Sequence, residues 1–280
     1  MIRLGLIGHP VAHSKSPEMH KAALELLGRT GRYDAIDVTA DALEECISKC
    51  KKQGFTGLNV TVPHKVRAMS FCDEVDQNAR SVGAVNTIVF RANGSIFGTN
   101  TDVQGFLACC PGDSESLSHH TALIVGAGGA ARAVIAALQS VHCKEIIVTN
   151  RSTEKAESLA SEFNLRVVPL QRDALETLNP TLVINATSMG MSAPMHTPKW
   201  DDATSFFAQL PFERWSKPHA IDLVYTPTQS AFLELANQGG CSGVNGLTML
   251  AHQGALSLSH WIGEPIDKTV GAMRRALGLK

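Results

Sequence analysis

Thr121-Ala122-Leu123-Ile124-Val125-Gly126-Ala127-Gly128-Gly129-Ala130-Ala131-Arg132 is the stretch that decides the fold class. A short apolar run suited to a buried strand enters a glycine turn, and the turn enters a helix-forming segment. The glycines follow the G-x-G-x-x-G/A spacing, with Ala131 in the third position. Gly126 permits the tight turn, Gly128 lets the backbone approach a pyrophosphate, and Ala131 allows close packing of helix on strand. The N–H groups and positive dipole at the helix start then favour a phosphate. Gly126, Ala127, Gly128, Gly129 and Ala130 are therefore read as a dinucleotide-binding turn.

The following strand, 145–149, says which dinucleotide. A site for NAD closes this strand with Asp or Glu, which holds the ribose 2′-hydroxyl. Here the chain continues Thr149-Asn150-Arg151-Ser152-Thr153-Glu154-Lys155. No acid stands at the strand end. Arg151 and Lys155 supply positive charge and Ser152 a hydroxyl, a set suited to a 2′-phosphate. NADP is favoured over NAD. A solvated helix start with incidental basic residues is the plain alternative.

Outward from this segment the pattern repeats. Strands at 166–168, 182–186 and 220–224 alternate with helices at 130–140 and 153–163, which indicates a parallel sheet covered on both faces. The stretch 191–216 reads as a long loop with one short helix. Residues 109–120 are rich in Ser, Pro, Gly and acid, like a surface connection. Upstream lie strands at 4–7, 33–38 and 57–60, with helices at 17–27, opened by Ser16 as N-cap, and at 42–52, opened by Asp41. A polar helix over 73–81 leads to strand 84–90, which pairs with 95–98 across Ala92-Asn93-Gly94. Leu247, Leu250, Leu256, Leu258 and Trp261 mark a late helix. The expectation is two α/β domains, 1–102 and 103–245, with 246–280 returning to the first domain.

Composition narrows the class. The chain has 280 residues, 44% apolar and 18% charged, with a net charge of −1. That suits a globular enzyme-sized protein and gives no global field for nucleic acid or anionic membrane. No apolar run approaches the ~18 residues of a membrane-spanning helix. The start of the chain is too short in apolar residues for a signal peptide. Seven cysteines without framework spacing read as reduced thiols in the cytoplasm. His119-His120 has no second ligand pair at zinc-like spacing, so no metal is expected.

Three polar clusters lie beside strand ends in the first domain. His13-Ser14-Lys15-Ser16-Pro17 carries two hydroxyls, of which Ser16 also fits a helix cap. Asn59-Val60-Thr61-Val62-Pro63-His64-Lys65 places Asn59 and Thr61 on one strand face. Pro63 can start a helix, which leaves Lys65 near its N-terminus, where the dipole and partial burial favour the neutral amine. Asn86 and Gly98-Thr99-Asn100-Thr101-Asp102 complete the set, and Asp102 also fits a helix cap. A lone lysine is usually a solvated surface group. Together with hydroxyls, amides and one carboxylate it suits a polyhydroxylated substrate. Beside a nicotinamide site, that set suggests oxidation of a secondary alcohol.

These stretches, with Gly83-Ala84-Val85-Asn86-Thr87, Asn185-Ala186-Thr187-Ser188-Met189-Gly190, Val224-Tyr225-Thr226-Pro227 and Gly246-Leu247-Thr248-Met249-Leu250-Ala251-His252-Gln253, closely resemble the shikimate dehydrogenase family. They run in order through nearly the whole chain. The resemblance implies a substrate domain joined to a Rossmann-type NADP domain with a cleft between them. It implies reversible NADP-dependent reduction of 3-dehydroshikimate to shikimate, a step of aromatic amino-acid biosynthesis. By the same resemblance Lys65 and Asp102 form the catalytic pair, and Ser14 and Ser16 hold the substrate carboxylate. Thr61, Asn86 and Gln253 contact ring hydroxyls, with Asn59 grouped among them. Asn150, Arg151, Ser152, Lys155, Thr187, Ser188, Tyr225 and Gly246 join the glycine turn in holding NADP. Thr248 departs from the family's usual glycine. Paralogues acting on quinate or a related cyclic polyol acid, and an idle NADP-binding regulator, are the alternatives. The partner is a small molecule rather than nucleic acid or membrane, and the chain is expected as a monomer or homodimer.

Overall fold

The computed structural model describes residues 1–279. In chain order the first elements are β1 (Ile2–Gly8), α1 (Ser16–Leu26), β2 (Gly31–Asp37), α2 (Leu43–Lys52), β3 (Gly57–Val60) and α3 (Lys65–Ala68). They are followed by β4 (Glu74–Val75), α4 (Gln77–Val82), β5 (Thr87–Phe90), β6 (Ile96–Thr99) and α5 (Asp102–Leu107). Then come α6 (Ser114–Leu117), β7 (Thr121–Val125), α7 (Gly129–Ser140), β8 (Glu145–Thr149), α8 (Thr153–Phe163), β9 (Arg166–Val167) and α9 (Arg172–Glu176). The chain ends with β10 (Leu182–Asn185), α10 (Pro198–Phe207), β11 (His219–Asp222), α11 (Ala231–Gln238), β12 (Gly243–Val244), α12 (Leu247–Ile262) and α13 (Ile266–Ala276).

Two compact units result. Unit 1 is Met1–Ala108 with Leu247–Lys280, and unit 2 is Cys109–Gly246. Helix α5 therefore stays with unit 1, although the sequence reading began the second domain at residue 103. Its Gly105 explains this, because a Cβ there would lie 2.9 Å from Gln253 Cβ and 3.1 Å from Met249 O, both on α12. Only glycine lets α5 and α12 approach so closely.

Unit 1 has a mixed sheet in the order β2-β1-β3-β5-β6-β4. β1 runs parallel to β2 and β3, whereas β5 is antiparallel to both β3 and β6. That reversal has a consequence for chemistry. Asn59 at the end of β3 stands opposite Thr87 at the start of β5, and Thr87 stands opposite Thr99 at the end of β6. The ends of β1, β3 and β6 and the start of β5 thus share one edge. One face of the sheet buries Ile7, Leu58, Val60 and Ile88 in a core shared with Ile47 of α2. Helix α12 anchors to the sheet through Trp261 Nε1, which donates to Ile88 O at 2.8 Å.

Unit 2 is parallel throughout, in the order β12-β11-β10-β7-β8-β9. Its central strands are buried on both faces, which is why Ala122–Val125 and Leu182–Ile184 read as unbroken apolar runs. The order turns back between β7 and β10, the switch point of a doubly wound sheet, where ligands bind beyond the strand ends.

Several boundaries differ from the sequence reading. The N-cap position of α1 is Lys15 with no side-chain cap bond, so Ser16 is already helical. Asp41 caps nothing in α2, which follows Ala42. The helix expected over 73–81 is instead β4 and a shorter α4, because Asp76 accepts from Ala79 N at 2.8 Å and starts the helix there. The short helix expected within the loop 191–216 is the ten-residue α10. Thr197 caps it and Pro198 opens it, and it buries Trp200, Ala203 and Phe207 in the unit 2 core. Phe207 packs edge-on to Phe232 at 5.2 Å between ring centroids. Proline and turn residues around this i, i+3, i+7 apolar stripe hid its bounds, not its presence. A loop residue could be truncated at little cost. Phe207 has no exposed surface, so Phe207→Ala is expected to lower stability by about 3–5 kcal/mol in urea unfolding.

Candidate active site

The shared edge of unit 1 gathers the polar residues. Lys65 is the first residue of α3, and its Nζ lies 2.7 Å from Asp102 Oδ2. Their side chains are only 14% and 5% exposed. The dipole of a four-residue helix is a small term here. The dominant charge beside Lys65 is the Asp102 carboxylate, which the sequence reading of its helix-end setting had left out. Asp102 does not cap α5. Its other oxygen, Oδ1, accepts from Asn86 Nδ2 at 2.8 Å, and its backbone N–H donates to Asn100 Oδ1 at 3.0 Å.

Asn86 is held in one orientation. Its Oδ1 accepts from the Thr101 backbone N–H at 2.8 Å, a donor that cannot be anything else. The amide nitrogen must therefore face Asp102 Oδ1 and Thr101 Oγ1. Behind it, Thr87 Oγ1 and Ser257 Oγ lie 2.8 Å apart. Asn59 Nδ2 donates to Ser257 Oγ, Thr87 Oγ1 and Asn86 O, and Asn59 Oδ1 accepts from Tyr33 OH at 2.8 Å. Asn59 is held among buried polar groups behind the pair. Its amide hydrogens are spent inside the protein. Tyr33 and Ser257 were not singled out from sequence, and Thr87 and Thr101 stood only as members of the matching stretches. The signal for Ser257 was its hydroxyl, four residues after Gln253 on α12.

His64 was also missed. It is buried, and its Nε2 donates to Val38 O at 2.6 Å, which pins the turn that carries Lys65. Thr61 N donates to Ile7 O at 2.9 Å, just past the end of β3. Ser14 Oγ accepts from Ser16 N at 3.2 Å, so Ser14 orders the start of α1 while Ser16 is buried. Gln253 Nε2 donates to Leu250 O at 2.9 Å, on the helix that packs against α5. The Lys65, Asp102 and Asn86 side chains are brought into direct contact, and Asn59 joins them through Asn86. Ser14, Ser16, Thr61 and Gln253 stand on the neighbouring loops and helix of the same unit.

Unit 2 carries the second set. Gly126 has φ +125°, and a Cβ there would lie 3.0 Å from both Ala186 C and Thr187 Cγ2. Gly128 is the N-cap of α7 and offers no side-chain cap, while a Cβ there would meet nothing within 4 Å. The first turn of a twelve-residue helix thus opens onto space, the arrangement a pyrophosphate needs. Ala131 is fully buried against the sheet. At the end of β8, Asn150 Nδ2 donates to Ser152 O at 3.0 Å, and Ser152 Oγ caps α8 by accepting from Lys155 N. Arg151 and Lys155 are exposed. A recess of about 390 Å³ runs alongside, lined by Asn150, Arg151, Thr153, Gln171, Phe206 and Gln209 among others. These residues fit a phosphorylated adenosine ribose: cations and donors, and no carboxylate at the strand end.

Thr187 N and Oγ1 both donate to Asn185 Oδ1, at 3.0 and 2.7 Å, and Ser188 is exposed beyond it. Tyr225 is half-buried in the loop after β11. Gly246 N donates to Val224 O at 3.2 Å, and a side chain at 246 would collide with Leu223 O. Among the described residues no group of His, Cys, Asp and Glu side chains could hold a metal ion. All seven cysteines are free thiols.

Known proteins are similar to this chain over nearly its full length. A family model described as the shikimate dehydrogenase substrate binding domain matches residues 6–88. Models described as shikimate / quinate 5-dehydrogenase and as the shikimate 5′-dehydrogenase C-terminal domain match residues 112–195 and 246–277. The shikimate dehydrogenase (NADP(+)) of Shouchella clausii is 40% identical over 268 residues, covering 93% of each chain. The shikimate 5-dehydrogenase of Thermus thermophilus, solved with NADP(H) and shikimate, superposes with a TM-score of 0.80. It is 39% identical and covers 99% of this chain and 100% of its own. The 5-ketofructose reductase of a Gluconobacter strain superposes at 0.78 with 29% identity, covering 99% and 98%.

His20 gives the framework a pH signature. It has no exposed surface and stacks on Tyr33 at 4.3 Å and 7° between ring planes. Burial pushes its imidazole down to about 3. The folded protein keeps His20 neutral, so its contribution to stability is full above pH ~6.5 and is lost as pH falls toward 3. At pH 4 the loss amounts to about 3 kcal/mol. His20→Phe retains a ring on Tyr33 and removes the titration. Its stability, read from urea midpoints at pH 7 and pH 4, is expected to fall less on acidification than that of the wild type. An identical fall in both proteins would count against His20 as the titrating group.

Proposed function

The chain belongs to the shikimate dehydrogenase family, and on that premise we propose that Lys65 and Asp102 are the proton-transferring pair of its active site. The protein is an NADP-dependent oxidoreductase that interconverts 3-dehydroshikimate and shikimate, a step toward the aromatic amino acids. The observation that carries the assignment of the pair is the 2.7 Å contact of Lys65 Nζ with Asp102 Oδ2 in a mostly buried polar edge.

In the reducing direction Lys65 Nζ gives a proton to the ketone oxygen as that oxygen gains charge. In the oxidising direction the same nitrogen takes the proton from the hydroxyl. NADP(H), when bound, supplies or accepts the hydride at nicotinamide C4. Asp102 holds the Lys65 amine in one position and presents a carboxylate to a substrate hydroxyl. Asn86 fixes the rotation of that carboxylate. Ser14 and Ser16 hold the substrate carboxylate, and Thr61, Asn86 and Gln253 meet ring hydroxyls. Asn59 acts one layer back, by holding Asn86, Thr87 and Ser257 in place. Orientation of the alcohol by this rigid set lowers the barrier further.

The glycine turn 126–130 holds the pyrophosphate of NADP. Asn150, Arg151, Ser152 and Lys155 hold the 2′-phosphate, and Thr187, Ser188, Tyr225 and Gly246 line the nicotinamide half. Unit 1 is read as the substrate domain and unit 2 as the NADP domain. The likeness to a 5-ketofructose reductase favours a second reading, in which the substrate is another polyhydroxylated ketone. Among the described residues no helix is long and apolar enough to cross a membrane. We place the protein in the cytoplasm, as a monomer or homodimer that does not bind nucleic acid, a reading supported by its free cysteines and balanced charge.

Initial rates with shikimate and quinate, each with NADP and NAD, test the whole reading, and turnover of shikimate with NADP is the expected result. A clear preference for quinate would move the protein to a paralogue. Lys65→Ala is expected to lower kcat by about 10²–10⁴-fold with the Kd of NADP unchanged. Near-normal turnover would remove Lys65 from the chemistry. Arg151→Asp is expected to move the ratio of kcat/KM values toward NAD, by loss of the charge that meets the 2′-phosphate and gain of an acceptor for the 2′-hydroxyl.

A further inference from the structure

A buried carboxylate in unit 2 has no place in the proton chemistry. Asp222 ends β11 and has no exposed surface. It stands in register with Asn185, the last residue of β10. Three uncharged donors converge on it. Asn185 Nδ2 and Val224 N reach Oδ1 at 2.8 and 2.9 Å, and Ser230 Oγ donates to Oδ2. No cation is among the groups acting on it, and burial pushes the carboxyl up to about 6. A carboxylate so placed is costly in stability at neutral pH, so its benefit lies elsewhere.

The contacts radiating from it show where. The carboxylate demands that Asn185 face it with its NH₂, which turns Asn185 Oδ1 toward Thr187. That oxygen takes both the N–H and the hydroxyl of Thr187, and Thr187 Oγ1 in turn accepts from Met189 N at 3.0 Å. Thr187 is also one of the groups against which Gly126 packs. On its other side Asp222 fixes Val224, the residue before Tyr225. Strand order places β8, with Arg151, on one side of β7, and β10 and β11 on the other. The adenosine half of a dinucleotide goes to the β8 side, so the loops hung on Asp222 lie under the nicotinamide half.

We propose that Asp222 is a positioning residue for NADP: through Asn185 and Val224 it sets the two loops, 185–190 and 224–227, that seat the nicotinamide half of the cofactor. This rests on the reading of unit 2 as the NADP domain. Without Asp222 the Asn185 NH₂ and the Val224 N–H lose the buried acceptor they share, and the two loops lose their common anchor.

The test compares NADPH with adenosine 2′,5′-bisphosphate, which has the 2′-phosphate and adenosine but no nicotinamide. In Asp222→Ala, NADPH affinity is expected to fall about tenfold or more, as for loss of one or two hydrogen-bonded anchors, with the bisphosphate bound as in the wild type. KM for NADP rises, while KM for shikimate does not. Asp222→Asn keeps an acceptor for Asn185 and Val224 and is expected to restore NADPH binding. Should Asp222→Ala not fold, Asn185→Leu breaks the same chain and is expected to show the same split. Unchanged NADPH affinity in these variants, or equal weakening of both ligands, would overturn the proposal. A wild-type protein that binds neither ligand would overturn the NADP reading of unit 2 and this inference with it.

Discussion

The contact between Lys65 Nζ and Asp102 Oδ2 is the interaction on which unit 1 depends. Two opposite charges taken out of water are tolerated only when their remaining hydrogen-bonding capacity is also met. Asp102 meets it through Asn86 and Asn100, and Asn86 is oriented by a backbone N–H. The requirement then passes outward to Thr101, Thr87, Ser257, Asn59 and Tyr33. Each is buried, and each has a partner within this network. Such a network has one satisfied arrangement, and a group left unpaired within it would cost more than the bond it lost. Rigidity at Lys65 is therefore a by-product of satisfying Asp102.

Antiparallel pairing of β5 makes this possible. A sheet parallel throughout would have placed Asn86 and Thr87 at the edge opposite Asn59 and Thr61. With β5 reversed, the end of β3, the start of β5 and the end of β6 meet. Unit 2 solves a different problem with the all-parallel arrangement. There all strand ends point one way, so a glycine turn, a helix start and a basic strand end can lie along one phosphate chain. The charge relations differ accordingly. Unit 1 balances its buried acid with a lysine, whereas Asp222 in unit 2 is held by neutral donors alone.

Most of the strand order in chain and the glycine turn were legible because they rest on local rules. Residues 121–132 carry an apolar run, turn glycines and a helix start within twelve positions, and no tertiary context is needed to read them. That an exposed cation, Arg151, follows the end of β8 was legible for the same reason. Helix α10 was legible only as one short helix within 191–216, without bounds, since Pro194, Pro198 and the aromatic residues around it mimic a loop while its stripe of Trp200, Ala203 and Phe207 is only three residues long. Helix α13 was left unread at the chain's end, although its buried Thr269, Ala272 and Met273 keep helical spacing. Asn59 was legible as a candidate polar residue beside a strand end, but not in its partners. Its spacing from Thr61 suggested a shared face toward a ligand, and its actual partners lie 26 to 198 residues away.

By itself the sequence determined the two α/β units, the dinucleotide turn, the preference for a phosphorylated ribose and the set of polar residues that includes Lys65 and Asp102. These follow from local spacing, side-chain chemistry and charge, which the order of residues states directly. Only the tertiary structure decided that Lys65 and Asp102 touch, that Asp102 is no helix cap, that Asn59 and Ser257 support the pair from behind, and that Asp222 underlies two loops. A hydrogen bond has a range near 3 Å. Which groups come within that range depends on strand register and helix packing between residues far apart in the chain, and no local pattern encodes it.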